Sequence, residues 1–349
     1  CELTGQDPFA RLYISRYAPI ITPYHRALGQ VREMARARKH GSCGMGIGEL
    51  GADLALPNQW NVLRASDCTN RHFTAFILER VREQNHAAAK TLLPGYDHPL
   101  WRLEPTDLAD RYESILSQAN YVGQMPVTKC AVFEGAQGIL LDEWYGFHPH
   151  TTWSNITFEN AEQLLSGLNA EVVKIGVLRG YMTRHGEGPF PSYSPSLTEQ
   201  LRKHEQHNRC DGQQGSMRYG FLDLVLLRYA LQAIGAVNWL ALTCLDQVNE
   251  DAPVVTKYTQ PKHLAMLTNL RVSRGRDLKY QESLTHLLER VVPWATYYRN
   301  GIKDFIANTL RVPIGITSYG PAASDKDFSS ALDESAGHHE KSFTSRVVC

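Results

Sequence analysis

The feature of this sequence that most restricts its fold is a series of short apolar segments that run directly into glycine-rich or polar turns. Such segments are typical of strands buried on both faces of a largely parallel sheet. Ligands of open parallel sheets bind beyond the carboxyl ends of the strands, so the turns are candidate binding segments. The four segments and their turns are 131–133 before 134–138, 172–178 before 183–189, 239–242 before 243–246, and 313–316 before 317–321.

Helices are predicted between these strands. A basic stretch over residues 24–40 ends at Gly41, and an apolar stretch over 222–234 ends at Gly235, just before the strand near Val237. Glycine after the last periodic residue is a common helix stop. A helix packed between strands is typical of a βαβ unit. We therefore predict an α/β fold with a mostly parallel central sheet flanked by helices.

Charge and hydropathy exclude several classes of protein. Lys plus Arg and Asp plus Glu both number 36, so no nucleic-acid partner is expected. No apolar run approaches the roughly 18–20 residues that span a bilayer, and no membrane partner is expected. The first residues lack both Met and the features of a secretory signal, which suggests a chain that begins inside a longer gene product.

The seven cysteines are scattered, without the spacing of a disulfide framework or a zinc site. Free thiols indicate a reducing compartment, so we predict a cytoplasmic protein. The adjacent His338 and His339 lack further ligands and make a poor metal site.

Six motifs follow one another along the chain. They are GSCGMGIG at 41–48, VFEGAQGILLD at 132–142, GFHPHTTWSN at 146–155, YMTRHGEGPFP at 181–191, TCLD at 243–246 and SYGP at 318–321. In this order they resemble the adenylosuccinate synthetase family, over about residues 11–322. The resemblance implies one P-loop-NTPase-like domain over residues 1–322, followed by a polar C-terminal tail over 323–349.

The resemblance also implies an activity. Members of that family are GTP-dependent ligases that use Mg²⁺ and convert inosine monophosphate and aspartate to adenylosuccinate. The purine 6-oxygen is phosphorylated first, and the aspartate amine then displaces phosphate. Glycine-rich loops suit this chemistry, because their backbone N–H groups can hold phosphates. Members also form homodimers that share active-site residues, so a homodimer is expected.

Site residues carry over motif by motif. Those implied at the purine monophosphate are Ser42, Cys43, Gln137, Thr152, Arg184, Gly186 and Arg218. Those implied at GTP are Asp246, Ser318, Gly320 and Pro321. Asp246 is suited to guanine because one carboxylate can accept hydrogen bonds from N1–H and the N2 amino group together.

The sequence departs from the family pattern at four places. The family's opening Gly-Asp-Glu-Gly-Lys-Gly loop and a later histidine do not precede residue 12, so about the first quarter of the pattern is absent and no catalytic residue is assigned here. The arginine-rich loop that holds the amino acid's carboxylates reads Asp-Gly-Gln-Gln-Gly-Ser-Met-Arg at 211–218. Cys244 replaces a lysine of the guanine site, and residues 55–58 lack the arginine that reaches the partner subunit.

These departures leave alternatives open. The chain could be a variant ligase that uses a guanine-type nucleotide, a non-catalytic nucleotide-binding paralogue, or another phosphotransferase on the same scaffold. Replacing cations by amides predicts that either aspartate is not the substrate or it is held in a different way.

Overall fold

The computed structural model describes residue 5 and residues 7–124, 130–203, 214–249, 252–260, 265–298, 301–329 and 346–348. The chain divides into two compact units, Cys1–Pro126 and Val127–Cys349. The domain boundary after residue 322 stays a prediction. None of the helices in the described ranges combines the length and apolar character that a membrane crossing requires.

The first unit is mainly helical. Its helices and strands in chain order are β1 (Tyr13–Ser15), α1 (Pro23–Ala35), α2 (Ile47–Leu54), α3 (Arg71–Leu92), α4 (Pro105–Leu116) and β2 (Asn120–Val122). β1 and β2 pair in parallel. The core lies between α1, α3 and α4 and includes Tyr24, Leu28, Val31, Leu63, Leu78, Val81 and Trp101.

Helix α1 begins at a well-formed cap. The Thr22 hydroxyl accepts the N–H of His25 at 3.3 Å, and Pro23 occupies the first helical position. The helix ends at Ala35 rather than near residue 40, because Arg36 is extended with ψ 135°. The chain then turns back, and the N–H of Gly41 donates to the Glu33 carboxylate at 2.9 Å.

The second unit contains the sheets. Its strands and helices in chain order are β3 (Cys130–Val132), α5 (Glu159–Leu164), β4 (Glu171–Val173), β5 (Ile175–Arg179), β6 (Tyr181–His185), α6 (Pro195–Arg202), β7 (Met217–Phe221), α7 (Leu224–Ile234), β8 (Trp239–Thr243), β9 (Val254–Thr259), β10 (Met266–Leu267), α8 (Leu278–Leu288), β11 (Val292–Thr296), α9 (Ile302–Leu310), β12 (Ile314–Ser318), β13 (Lys326–Phe328) and β14 (Arg346–Val348).

The central sheet has the order β13-β12-β8-β5. β12, β8 and β5 are parallel, and β13 is an antiparallel edge strand. Smaller sheets have the orders β3-β14-β4, β10-β9-β11 and β6-β7, of which the first is parallel and the others antiparallel. The predicted α/β fold with a mostly parallel central sheet is confirmed.

Helix α7 is apolar on most faces because two cores pack against it. Leu224 lies in a cluster with residues of β8, α9 and β12. Val225 and Tyr229 lie in a second cluster with residues of β9 and α8. Asp223 caps the helix, and Gly235 ends it with φ 79°, at the place that the sequence predicts.

Two predicted segments differ from the structure. Residues 172–178 form two strands of different sheets, because the backbone N–H of Lys174 leaves the ladder and donates to Asn238 Oδ1 at 2.8 Å. Residues 183–185, expected in a turn, belong to β6, where they pair with β7.

The polar segment from residue 323 also differs from the expected tail. The sequence has no strand periodicity there, yet β13 pairs with β12 and β14 pairs with β3 and β4. Backbone pairing with neighbouring strands stabilises these short strands, a contribution that side-chain periodicity does not reveal. His338 and His339 lie outside the described residues.

Candidate functional site

The residues expected at GTP lie at one edge of the central sheet. β8 and β12 are adjacent and parallel, so their carboxyl ends lie side by side. Asp246 follows β8 within the 3-10 turn Leu245–Gln247, which contacts β12. Ser318 ends β12, and Gly320 and Pro321 follow it. The Asp246 side chain is exposed, so the structure leaves its carboxylate accessible beside the Ser318 loop.

The turn that carries Asp246 has a defined conformation. Cys244 precedes it in the left-handed region, with φ 58°. This region is uncommon for a residue other than glycine, so neighbouring contacts must hold it. One such contact is the hydroxyl of Tyr181, which donates to Gln247 Oε1 at 2.8 Å. Burial is the main cause that raises the pKa of Tyr181, and the neighbouring Cys244 raises it further. The Tyr181 hydroxyl therefore remains a donor.

The Ser318 loop is compact. The Ser318 hydroxyl donates to the carbonyl oxygen of Gly320 at 3.1 Å. A Cβ on Gly320 would lie 2.5 Å from Asp325 Oδ2, so only glycine fits without displacing that carboxylate. The loop therefore presents backbone groups at close approach, which suits recognition of a flat base edge.

Two arginines of the expected monophosphate site lie opposite each other on the β6–β7 ribbon. Arg184 pairs with Arg218 in the register of the two strands. Arg184 Nε donates to the carbonyl oxygen of Glu187 at 2.8 Å. Arg218 Nη2 donates to the carbonyl oxygens of Gly186 and Gly188 at 2.5 Å and 3.0 Å. The two guanidinium groups thus hold all three carbonyls of the turn 186–188.

The charges on this ribbon are poorly solvated. Burial, followed by the neighbouring charge of Arg218, lowers the pKa of Arg184 to about 10. Burial likewise lowers the pKa of Arg218, which the carboxylate of Glu187 partly offsets. Like charges directly opposite on a ribbon repel each other. A bound anion would therefore stabilise this arrangement more than it would stabilise separated surface arginines.

Gln137 and Thr152 flank a segment organised by Asp142, which is fully buried. Its carboxylate accepts three backbone N–H groups, those of Trp144 at 2.8 Å, Tyr145 at 3.0 Å and Ile156 at 2.7 Å. The N–H of Thr152 donates to the carbonyl oxygen of Leu141 at 2.8 Å, next to this buried acid.

Gln137 is exposed and has φ 67°, a turn conformation. Arg184 Nη2 donates to the carbonyl oxygen of His150 at 3.0 Å, which connects the ribbon to the segment that carries Thr152. The structure thus brings Arg184 close to the Thr152 segment.

Ser42 and Cys43 belong to the first unit, in the loop before α2. The carboxylate of Glu33 accepts the N–H groups of Gly41 at 2.9 Å and Ser42 at 3.4 Å. The Ser42 hydroxyl accepts the N–H of Gly44 at 3.2 Å, and the Cys43 side chain is exposed. The role of both residues at a monophosphate stays a prediction.

Glu33 is a buried acid that the sequence interpretation did not single out. Burial raises its pKa, but the hydrogen bonds from Arg36 and Gly41 outweigh burial, and the pKa of Glu33 is lowered overall. Glu33 therefore remains ionised and holds the start of the glycine-rich loop against α1.

His25 lies on α1 and is fully buried. Its Nδ1 accepts the N–H of Thr22 at 3.0 Å, and its Nε2 lies 3.1 Å from Asp53 Oδ2. Both ring nitrogens are thus used within the first unit, and the histidine stabilises the contact between α1 and α2.

Within the described residues, no group of three or more His, Cys, Asp or Glu side chains could hold a metal ion. None of the described residues is assigned to Mg²⁺, which proteins commonly hold through one or two carboxylates together with the phosphates of the nucleotide. The described cysteines Cys43, Cys68, Cys130 and Cys244 are free thiols.

Of the segment that replaces the arginine-rich loop, residues 211–213 lie outside the described ranges. The carbonyl oxygen of Gly215 lies 3.0 Å from His185 Nε2, and that of Ser216 accepts the N–H of Gly186 at 3.4 Å.

Lys326 was also missed by the sequence interpretation, because it lies in a polar segment whose strand pairing is not evident from its residues. Its ammonium group contacts the Ser318 loop.

Comparison with known proteins agrees with these observations. The model of the family described as adenylosuccinate synthetase matches residues 2–326. The adenylosuccinate synthetase of Chlorobium chlorochromatii (strain CaD3) is 30% identical over 352 residues, with 94% of this chain and 78% of that protein covered. The adenylosuccinate synthetase of Chlorobium phaeobacteroides (strain DSM 266) is 29% identical over 353 residues, with the same shares covered.

A solved structure has the same fold. The fully ligated adenylosuccinate synthetase from Plasmodium falciparum superposes with a TM-score of 0.70 at 18% identity, over 94% of this chain and 80% of that one. At this identity the likeness concerns the fold alone.

Proposed function

This chain belongs to the adenylosuccinate synthetase family of carbon–nitrogen ligases, and we propose that it joins aspartate to inosine monophosphate with GTP as phosphoryl donor, forming adenylosuccinate in purine nucleotide biosynthesis. The observation that carries the proposal is the edge of the central sheet at which Asp246 lies beside the loop of Ser318, Gly320 and Pro321.

Guanine recognition at this edge follows from hydrogen-bond complementarity. An exposed carboxylate at Asp246 accepts from guanine N1–H and from its N2 amino group. Adenine has a lone pair at N1, which the same carboxylate would repel, so the edge selects against ATP. Ser318 and the compact backbone of Gly320 and Pro321 would then contact the remaining edge of the base.

The β6–β7 ribbon suits the anionic nucleotide. Arg184 and Arg218 are half-buried cations that lie directly opposite each other. Phosphoryl transfer depends on positioning and on cations near the phosphates. Arg184 also bonds to the segment that carries Thr152, where the monophosphate is proposed to bind. Gln137 would supply amide contacts to the purine, and Gly186 would allow close approach at the ribose.

The residues that would hold aspartate differ most from the family pattern. A dicarboxylate is usually held by cations, and residues 211–218 contain a single arginine, Arg218. Arg218 already donates to the carbonyls of Gly186 and Gly188. Phosphate-release measurements therefore have to distinguish aspartate from a different amine, and inosine monophosphate from a guanine-type monophosphate.

Three further properties belong to the proposal. We infer a homodimer and a cytoplasmic location, on the basis of the family, and Mg²⁺ as the ion that accompanies GTP. No residue of this chain is assigned to the ion or to proton transfer.

The test is phosphate release by the complete natural protein, supplied with GTP, aspartate and either inosine or deoxyguanosine monophosphate. Release that needs aspartate and inosine monophosphate would support the proposal. Release with deoxyguanosine monophosphate but not with inosine monophosphate would identify a guanine-type nucleotide as the substrate. Release that does not depend on aspartate would indicate a different amine. Nucleotide binding without any release would overturn the ligase and favour a non-catalytic paralogue.

A further inference from the structure

Lys326 lies directly opposite Ser318 in the register of β13 and β12. β13 returns antiparallel along the edge of the central sheet, immediately after the loop of Ser318, Gly320 and Pro321. A residue of the C-terminal polar segment is thereby placed beside the proposed guanine site.

The Lys326 ammonium group bonds to two carbonyls of this loop. Nζ donates to the oxygen of Gly320 at 2.7 Å and to the oxygen of Ala322 at 2.8 Å. The Gly320 oxygen also accepts the Ser318 hydroxyl at 3.1 Å. Hydrogen bonds from a charged donor are stronger than those between neutral groups, so Lys326 is the stronger of these two contacts at Gly320.

Asp325, the neighbour of Lys326, accepts hydrogen bonds from backbone N–H groups of the same loop. Its Oδ2 accepts the N–H of Ala322 at 2.7 Å, and its backbone oxygen accepts the N–H of Tyr319 at 2.9 Å. The loop carbonyls are therefore turned toward an ammonium group and two of its amides toward Asp325. Lys326 and Asp325 together therefore fix the orientation of the Ser318 side chain and of the other hydrogen-bonding groups on the loop.

From this geometry we infer that Lys326 is a positioning residue of the base site for the nucleoside triphosphate. It does not contact the base; it sets the conformation of the loop that does. The inference rests on the proposed guanine site, and it assigns selectivity for the purine base to a residue outside the six motifs. Base selectivity depends on fixed hydrogen-bonding groups, because a mobile loop can adapt to either base.

The test compares Lys326→Met with the unaltered chain and with Lys326→Arg. Dissociation constants for GTP, ATP and inosine monophosphate are measured by titration calorimetry. We expect Lys326→Met to weaken GTP about tenfold, since two charge-assisted bonds are lost, while ATP and inosine monophosphate change by less than about twofold. Lys326→Arg keeps a cation with several N–H donors and should restore most of the GTP affinity.

The matched control is Lys303→Met, which removes an exposed lysine of the same unit, on α9. It should leave all three dissociation constants unchanged. An unchanged GTP constant in Lys326→Met, or an equal loss for GTP, ATP and inosine monophosphate, would overturn the inference while the proposed function stands. Failure of the unaltered chain to bind GTP would overturn the proposed guanine site itself and this inference with it.

Discussion

Arg184 and Arg218 lie directly opposite each other on an antiparallel ribbon, and together they bond to all three carbonyls of the turn 186–188, which follows β6. The two like charges are poorly solvated, and the carboxylate of Glu187 offsets the effect of burial only in part. Bonds to neutral carbonyls orient the two cations but do not neutralise them. This arrangement is suited to a ligand that brings negative charge.

We first predict that Arg218→Gln weakens binding of inosine monophosphate by about tenfold or more, because one of the two opposed cations is lost. The same variant should raise the dissociation constant far less for inosine, which lacks the phosphate. Calorimetric titration with both ligands measures the difference. Arg290→Gln, at an exposed position after α8, is the control and should change neither constant. Equal losses for the nucleotide and the nucleoside would contradict a role at the phosphate.

Gly188 provides a second test of the same ribbon. It has φ +107°, and a Cβ there would lie 2.2 Å from Arg184 Nη2. Gly188→Ala should therefore displace the Arg184 guanidinium and lower the free energy of unfolding by about 1–3 kcal/mol. Urea unfolding measures this change. Gly135→Ala is the matched control, since nothing lies within 4 Å of its added Cβ and no left-handed φ is needed there. Equal stability of the two variants would show that the close approach at Gly188 is easily relaxed.

The sheet edge with Asp246 and Ser318 could be anticipated from the sequence, and the ribbon could not. Parallel strands place their carboxyl ends together, so apolar segments followed by polar turns are enough to predict that edge. Arg184 was expected in a turn because glycines follow it closely, and its pairing with Arg218 is a contact between distant segments. Local sequence does not specify such pairings.

Charged residues with buried or structural roles were missed for a related reason. Glu33 and Lys326 both lie in polar stretches of the sequence, where a charged side chain is usually solvated. Each acquires its role from backbone groups of a loop that folds back on it. The position of that loop, rather than the residue type, decides whether a charged side chain is solvated or holds the loop in place.

A third prediction concerns the dependence of stability on pH. Asp223 caps α7 and accepts the hydroxyl of Tyr258 at 2.7 Å. Burial raises the pKa of Asp223 to about 6, although its hydrogen bonds act in the opposite direction. The unfolded carboxyl loses its proton near pH 4, so between about pH 4 and 6 the folded state binds more protons than the unfolded state. The contribution of this group to stability is therefore present at low pH and is lost as the pH rises through that window.

Asp223→Asn removes this titration while its side-chain oxygen can still cap the amides of Val225 and Leu226. We expect the unfolding free energy of the unaltered chain, relative to the variant, to fall by up to about 3 kcal/mol between pH 4 and 6.5. Urea unfolding at a series of pH values provides the comparison. Parallel profiles for the two proteins would show that the pKa of Asp223 is not raised.

The last prediction concerns the base of the triphosphate. Asp246→Asn replaces one accepting oxygen by an N–H₂ donor, which faces the N2 amino group or N1–H of guanine with the wrong polarity. We expect GTP affinity to fall about tenfold or more, and affinity for xanthosine triphosphate, which carries an acceptor at C2, to rise. ATP affinity should rise or stay unchanged, because the variant removes the repulsion between the carboxylate and the lone pair of adenine N1 and offers that atom an N–H₂ donor. Asp304→Asn, at an exposed position on α9, is the control for the loss of one negative charge. If both variants weaken GTP equally, the effect comes from overall charge, and Asp246 does not read the base.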